Sequence, residues 1–305
     1  MLRTILSRLF QGVIVISLLF TVTFFAVRLI PGNPFTAEKE ISEAAIEQKK
    51  KEYYLDKSLG VQYVLMGRDL LLKGDFKKST QYERPVIEVI RHSFPASLLL
   101  GITATLIAIC FGIPAGIIAA LRQNSLIDYS SMSIAMLGIS IPAFVMAPIV
   151  ASNVPLVFPG LKVAGWGDPL DWILPAFVLS LGTAAYLARI TRSGMLDILS
   201  QDYIRTAKAK GLKESMIVIK HALRGGIMPA IAYIGPAFAA LITGSFIIET
   251  IFQIPGMGQH FVNATKERDY MLLQGIVIFF GVLIVLVNLL ADIALVILNP
   301  RMKDA

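Results

Sequence analysis

Catalysis and metal binding need particular side chains at particular spacings, and this sequence supplies few of them. The three histidines, His92, His221 and His260, are far apart and lack metal-ligand spacing. The one cysteine, Cys110, lies inside an apolar run, where it reads as packing and has no disulfide partner. No Gly-x-x-x-x-Gly-Lys-Ser/Thr run provides a phosphate loop, and no GxSxG, HExxH or Ser-His-Asp set supplies a nucleophile or a zinc site. Charge is nearly absent inside the apolar runs. Arg28 and Glu249 lie near the ends of theirs, Asp292 lies in the last, and no pair of carboxylates or histidines stands midway. Such sparse charge weakens the case for a transporter driven by protons or sodium alone. What remains is recognition chemistry: the polar, mainly basic stretch DYIRTAKAKGLKESMIVIKHALRGG at 202–226, set between very apolar sequences.

The elements that must position this stretch are membrane spans. Of 305 residues, 55% are hydrophobic and only 16% charged, against about 25% charged in an ordinary soluble domain. The net charge of +7 does not point to nucleic acid, because the cations sit in loops between apolar runs without interleaved aromatics. A span needs roughly 20 mostly apolar residues. Six segments qualify: 9–30, 94–121, 129–152, 172–187, 227–252 and 272–298. The sequence thus predicts an all-α membrane protein with six transmembrane helices. A tail and first helix occupy 1–30, an extracytoplasmic segment 31–93, a membrane core 94–298 with a polar loop at 191–226, and a tail 299–305. The first segment is too long for a signal-peptide core and ends in Arg-Leu-Ile-Pro-Gly rather than a small-x-small site. Arg3, Arg8, Arg122, the cluster from Arg189 to Arg224, Arg301 and Lys303 then share one side, which the positive-inside rule makes cytoplasmic together with both termini. Trp166 and Trp172 fall where an outer aromatic belt would sit. The segment 31–93 reads as a small, partly helical cap, since Tyr53, Tyr54, Leu55, Val61, Tyr63, Val64 and Leu65 give it something to pack.

Small residues and helix breakers recur in the spans. Gly112-Ile113-Pro114-Ala115-Gly116 is a small-xxx-small pattern, Ile141-Pro142-Ala143 kinks the third span, and Gly235-Pro236 makes the fifth narrow and bendable. Close helix packing asks for such residues, and so do kinked helices lining a cavity.

Within the polar stretch, 196–210 scans as a helix with Leu196, Leu199, Tyr203, Thr206, Ala207 and Lys210 on one face and Gln201, Arg205 and Lys208 on another. Gly211 stands where a left-handed residue would stop it, with Leu212 next to touch Ala207, and a second helix begins near Glu214. The residues alone leave three readings: a helix on acidic inner-leaflet lipid, a solvated linker, or an elbow seated in a protein groove. The small apolar face lacks the bulk of an interfacial helix and suits the groove.

These residues resemble the EAA loop of permease subunits of binding-protein-dependent ABC importers. Against the general pattern, Arg205 and Thr206 replace Glu and Ala, Ala207 and Gly211 match, His221 replaces Ile, Leu223 matches and Arg224 replaces Pro. The run from Ile204 to Leu212 is similar to the oligopeptide/dipeptide branch. So are the motif from Arg28 to Thr36, Gly74-Asp75-Phe76 (with Lys77 in place of a second glycine), Phe94-Pro95-Ala96-Ser97, the run from Ala188 to Arg192, the run from Gly244 to Phe252 with Pro255-Gly256-Met257-Gly258, and Arg268-Asp269-Tyr270. The likeness is greatest to the oligopeptide permease B subunit. It implies a type I ABC importer permease fold in the inner membrane of a prokaryote, with no catalytic site and no cofactor on this chain. The partners it implies are a second homologous permease, two ABC ATPases binding ATP and Mg, an extracytoplasmic solute-binding protein, membrane lipid and a peptide substrate. It gives the ATPase contacts as Tyr203, Arg205, Thr206, Ala207, Ala209, Lys210, Gly211 and Leu212. For the substrate path the expectation is Pro236, Ser245 and Asp292, against a backbone hydrogen bond for Ser245 and a buried partner for Asp292. Dipeptides, nickel chelates, glutathione or oligosaccharides are alternative cargoes, and a stand-alone secondary transporter or a membrane scaffold are alternative functions.

Overall fold

The computed structural model describes residues 2–29, 43–158, 160–162 and 164–298. The motif after Leu29 up to Thr36, and Arg301 and Lys303, lie outside these. Among the described residues the secondary structure is helical, with one isolated bridge between Lys78 and Pro85. Five helices among the described residues are long and apolar enough to cross a membrane: Ile5–Leu29, Val86–Leu121, Pro169–Leu199, Met228–Ile251 and Tyr270–Ile297. The third expected span is not one kinked helix. It is two, α5 (Leu126–Ser140) and α6 (Ala143–Val157), meeting at 106°. Pro142 causes the break: its ring bars a helical conformation at the preceding residue, and Ile141 stands at φ −93°, ψ 116°. The fourth helix also runs on past its expected end at 187, as α7 (Ile173–Leu199), because charged residues end an apolar window without ending a helix.

The chain divides into two compact units. The first is Met1–Ser97 with Pro255–Leu286. In it, α1 (Leu2–Leu29), α2 (Glu43–Glu52), α3 (Leu59–Lys73), the start of α4 (Val86–Leu121), α13 (Met257–Lys266) and most of α14 (Tyr270–Leu298) pack together. Tyr63 of α3 sits among α1 rings, 5.2 Å from Phe20 and 5.3 Å from Phe24, and its hydroxyl meets that of Thr21 at 2.8 Å. Arg28 caps this contact, donating to the Gln62 side chain at 3.0 Å and lying over the Phe24 ring. Of the residues expected to pack this segment, Val61 and Val64 instead face outward, and Gln62, Met66 and Asp69 take the inner face of α3. Asp269 is buried and accepts from the Ser79 hydroxyl and from the Gln81 and Leu272 amides, which pins residues 79–81 to the start of α14.

The second unit is Leu98–Ile254 with Val287–Ala305. Here small residues let backbones touch. A Cβ on Gly112 or Gly116 of α4 would collide with the Ala184 or Ala188 carbonyl of α7, and one on Gly235 would collide with Ala291 of α14. In a bilayer, where lipid tails are as apolar as leucine, such close packing is a main source of helix association. Ala108, Leu187 and Ala230 form the buried centre where α4, α7 and α11 (Met228–Thr243) meet.

Candidate functional site

The polar stretch forms an elbow between α7 and α11. The continuous helix expected over 196–210 is broken: α7 ends at Leu199, Gln201 is extended at φ −70°, ψ 149°, and α8 (Asp202–Ala209) starts afresh. Asp202 in the first turn suits the partial positive charge of a helix N-terminus. The stop at the other end has the bonding that the glycine spacing predicts. Gly211 is left-handed at φ +73°, the Leu212 amide donates to the Ala207 carbonyl at 3.3 Å, and the Gly211 amide donates to Lys208 at 3.0 Å. Glycine is needed there because a side chain at positive φ costs roughly 1 kcal/mol.

Beyond the stop, α9 (Glu214–Met216) leads into a wide π-helical run, Ile217–Ala222, and then through α10 (Leu223–Gly226) into α11. The π-run was not legible beforehand. Its buried ends, Ile217 and Ala222, join Ala120, Met195, Ile204 and Ala207 in one apolar core beneath the elbow. Two glycines hold the exit close to α7, since a Cβ on Gly194 would meet the Gly226 carbonyl and one on Gly226 would meet Met195.

This core sorts the expected contact residues. Ala207 is 7% exposed and, with Ile204, packs inward rather than on the free surface. Tyr203, Arg205, Thr206, Ala209, Lys210, Gly211 and Leu212 are exposed. Three of them are also held in place. The Tyr203 hydroxyl reaches the His221 carbonyl at 3.4 Å, Arg205 reaches Asp202 at 3.4 Å, and the Thr206 hydroxyl donates to the Asp202 carbonyl at 3.0 Å. Met216 and Ile219, which sequence reasoning did not single out as contacts, extend the exposed face; Ile219 is 69% exposed.

A second brace was also missed. Arg192 of α7 grips Asp128 of α5 with two parallel hydrogen bonds, 2.6 Å from Nε to Oδ1 and 2.7 Å from Nη2 to Oδ2. The same carboxylate accepts from the Asn124 amide, and the Asp128 amide donates to Ser125 at the start of α5. The turn at 122–125 is thereby tied to the helix that carries the elbow. Sixty-four positions separate the pair, so only the aspartate just inside a serine-capped helix start could have drawn the eye.

The three residues expected along a substrate path differ in setting. Ser245 is fully buried at the start of α12 (Phe246–Ile251), where its hydroxyl bonds to Glu249 and lies 3.2 Å from the Ile242 carbonyl. Pro236 lies exposed on α11, and Asp292 is half-buried on α14.

Fold and site together define a multi-pass helical membrane protein with a braced elbow. The chain belongs to the family of binding-protein-dependent transport system inner membrane components, whose sequence model matches residues 112–304. It is 41% identical over 306 residues to the oligopeptide transport system permease protein OppB of Haemophilus influenzae, across 99% of this chain and 100% of that one. It is 39% identical to the dipeptide transport system permease protein DppB of Bacillus subtilis (strain 168), across 99% and 98%. Its fold is also that of a chain of the inward-facing MetNI methionine ABC transporter, with a TM-score of 0.57 at 15% identity over 70% of this chain and 97% of that one.

Proposed function

We propose that this chain is the permease subunit of an ATP-driven importer of oligopeptides, and that its elbow is where the ATPases push. The single observation that carries the reading is the elbow itself: a short helix with an exposed face, fixed from below by a buried core and ended by a left-handed glycine. A solvated linker needs none of this bracing. In this reading Tyr203, Arg205, Thr206, Ala209, Lys210, Gly211 and Leu212 meet the ATPase groove, and Ala207 holds the helix that presents them.

The elbow and both termini face the cytoplasm, as the distribution of lysine and arginine favours. ATP and Mg belong to two partner ATPases, a second related permease completes the pathway, and an extracytoplasmic binding protein delivers the solute. Peptides are the proposed cargo because the relatives of full-length similarity are named for oligopeptide and dipeptide transport. The binding protein would select among peptide lengths.

The test is a charge on the exposed face. In the transporter assembled with its partner subunits, Leu212→Asp is expected to leave membrane insertion intact and to cut peptide uptake at least tenfold while ATP hydrolysis persists or falls. Normal uptake by Leu212→Asp would sink the docking reading.

A further inference from the structure

The break between α5 and α6 opens a cavity of about 230 Å³. Its walls are the bend from Ile139 to Ala143, Gly182 and Thr183 of α7, and Tyr233 of α11. The bend strips the backbone of a usual partner, because Pro142 has no N–H to offer the Gly138 carbonyl. That carbonyl approaches Gly182, where a Cβ would stand 3.7 Å from it. The Thr183 and Tyr233 hydroxyls are further polar groups on the wall, and neither has a hydrogen-bond partner among the described residues. The Tyr233 ring is held against Tyr186 at 4.3 Å, with the Arg189 guanidinium 5.2 Å from the Tyr186 ring centre.

Depth makes these groups informative. Thr183 lies ten residues into the 27-residue α7, about 15 Å along it, and the break falls midway through the α5–α6 pair. At such a depth unpaired hydroxyls and carbonyls are tolerated only where protein, water or a solute meets them. Irregular backbone inside a span has the same requirement.

We infer that this cavity is a mid-span contact site for the transported solute, and that it takes the main-chain amides of a peptide. The inference rests on the peptide-importer reading above. Peptide N–H groups have the Gly138 carbonyl and the two hydroxyl oxygens to donate to. Peptide carbonyls can accept from the hydroxyls of Thr183 and Tyr233. Both kinds of bond ignore side chains, so the contact tolerates any sequence.

Two arms test this in the assembled transporter reconstituted into vesicles, with trialanine as probe. In the first, Thr183→Cys is placed on a Cys110→Ser background and exposed to a water-soluble methanethiosulfonate reagent. Reaction is expected, and trialanine with ATP is expected to slow it. No reaction at position 183, while a Lys208→Cys control on the exposed elbow reacts, would overturn the proposal. In the second arm, Tyr233→Phe and Thr183→Val each remove one hydroxyl with little change of shape. Each is expected to lower trialanine uptake roughly threefold to tenfold, the worth of one hydrogen bond, with ATP hydrolysis retained. Unchanged uptake in both would overturn it too. Wild-type vesicles that move no trialanine would sink the peptide reading instead, and the labelling arm would still decide whether the cavity is an aqueous path.

Discussion

Lys77 stands at φ +65°, where a residue with a side chain is held against its preference. Its ammonium lies 2.9 Å from Asp69 Oδ2, and the buried Asp69 carboxylate also accepts from the Tyr54 hydroxyl at 2.7 Å and from Arg68 at 3.1 Å. The hydrogen bond from Lys77 is the main reason that the Asp69 pKa lies well below the usual carboxylate range, against the opposing pull of burial. Burial acts to lower the Lys77 pKa, but the bonds to Asp69 and Tyr54 outweigh it and the pKa is raised. A carboxyl with a depressed folded-state pKa contributes stability above its unfolded value of about 4 and loses it as pH falls below that. An ammonium with a raised pKa contributes below about 10.4 and loses it as pH rises further. The pair therefore stabilises the 43–85 region most between roughly pH 4 and pH 10. Thermal unfolding in detergent is expected at falling temperatures as pH drops below about 4, with Asp69→Asn less stable at neutral pH and flatter in acid. An equally steep acid fall in Asp69→Asn would remove the role given to this carboxyl.

Among the elements, α8 has one packed face and one exposed face. Ala207 and Ala209 are two positions apart on the same short helix, one buried and one exposed. Ala207→Asp would put a carboxylate against Met195, Ile217 and Ala222, and is expected to cost roughly 3 kcal/mol or more and to lower the melting temperature in detergent. Ala209→Asp is expected to melt within about 0.5 kcal/mol of the unchanged protein, as surface substitutions do. Equal melting of the two would show that the inward face is misassigned. The sequence foretold part of this element and missed part. Gly211 was legible as a stop because only glycine takes positive φ freely, and the long helices were legible because each is an unbroken apolar run. The break at Gln201 was not legible, because neither Ser200 nor Gln201 forbids a helix and tertiary packing of Ile204 decides the turn. Pro142 announced a kink, but one proline does not fix its size, which is 106°. The Arg192–Asp128 fork joins residues that no local spacing relates.

For the whole molecule, the α5–α6 pair decides the count of crossings. As one bent span it gives six crossings and puts both chain ends on the same side; as a re-entrant pair it gives five and puts them on opposite sides. The distribution of lysine and arginine favours six. A fluorescent protein fused after Ala305 is expected to glow and alkaline phosphatase fused there to be inactive, as at the N-terminus. Active phosphatase after Ala305 would refute six crossings. The wide turn at Ile217–Ala222 bears on how the elbow faces the spans. In an α-helix, residues five apart point about 140° away from each other, since each step turns about 100°. Ile217 and Ala222 are five apart and both point into one core, because the turn between them closes over five residues rather than four. The run thus absorbs one residue more than an α-helix would hold. A residue removed from it would rotate α11, with Tyr233 and Pro236, by about 100° relative to the elbow. The odd residue sets the angular phase between the elbow and the part of α11 that faces the cavity.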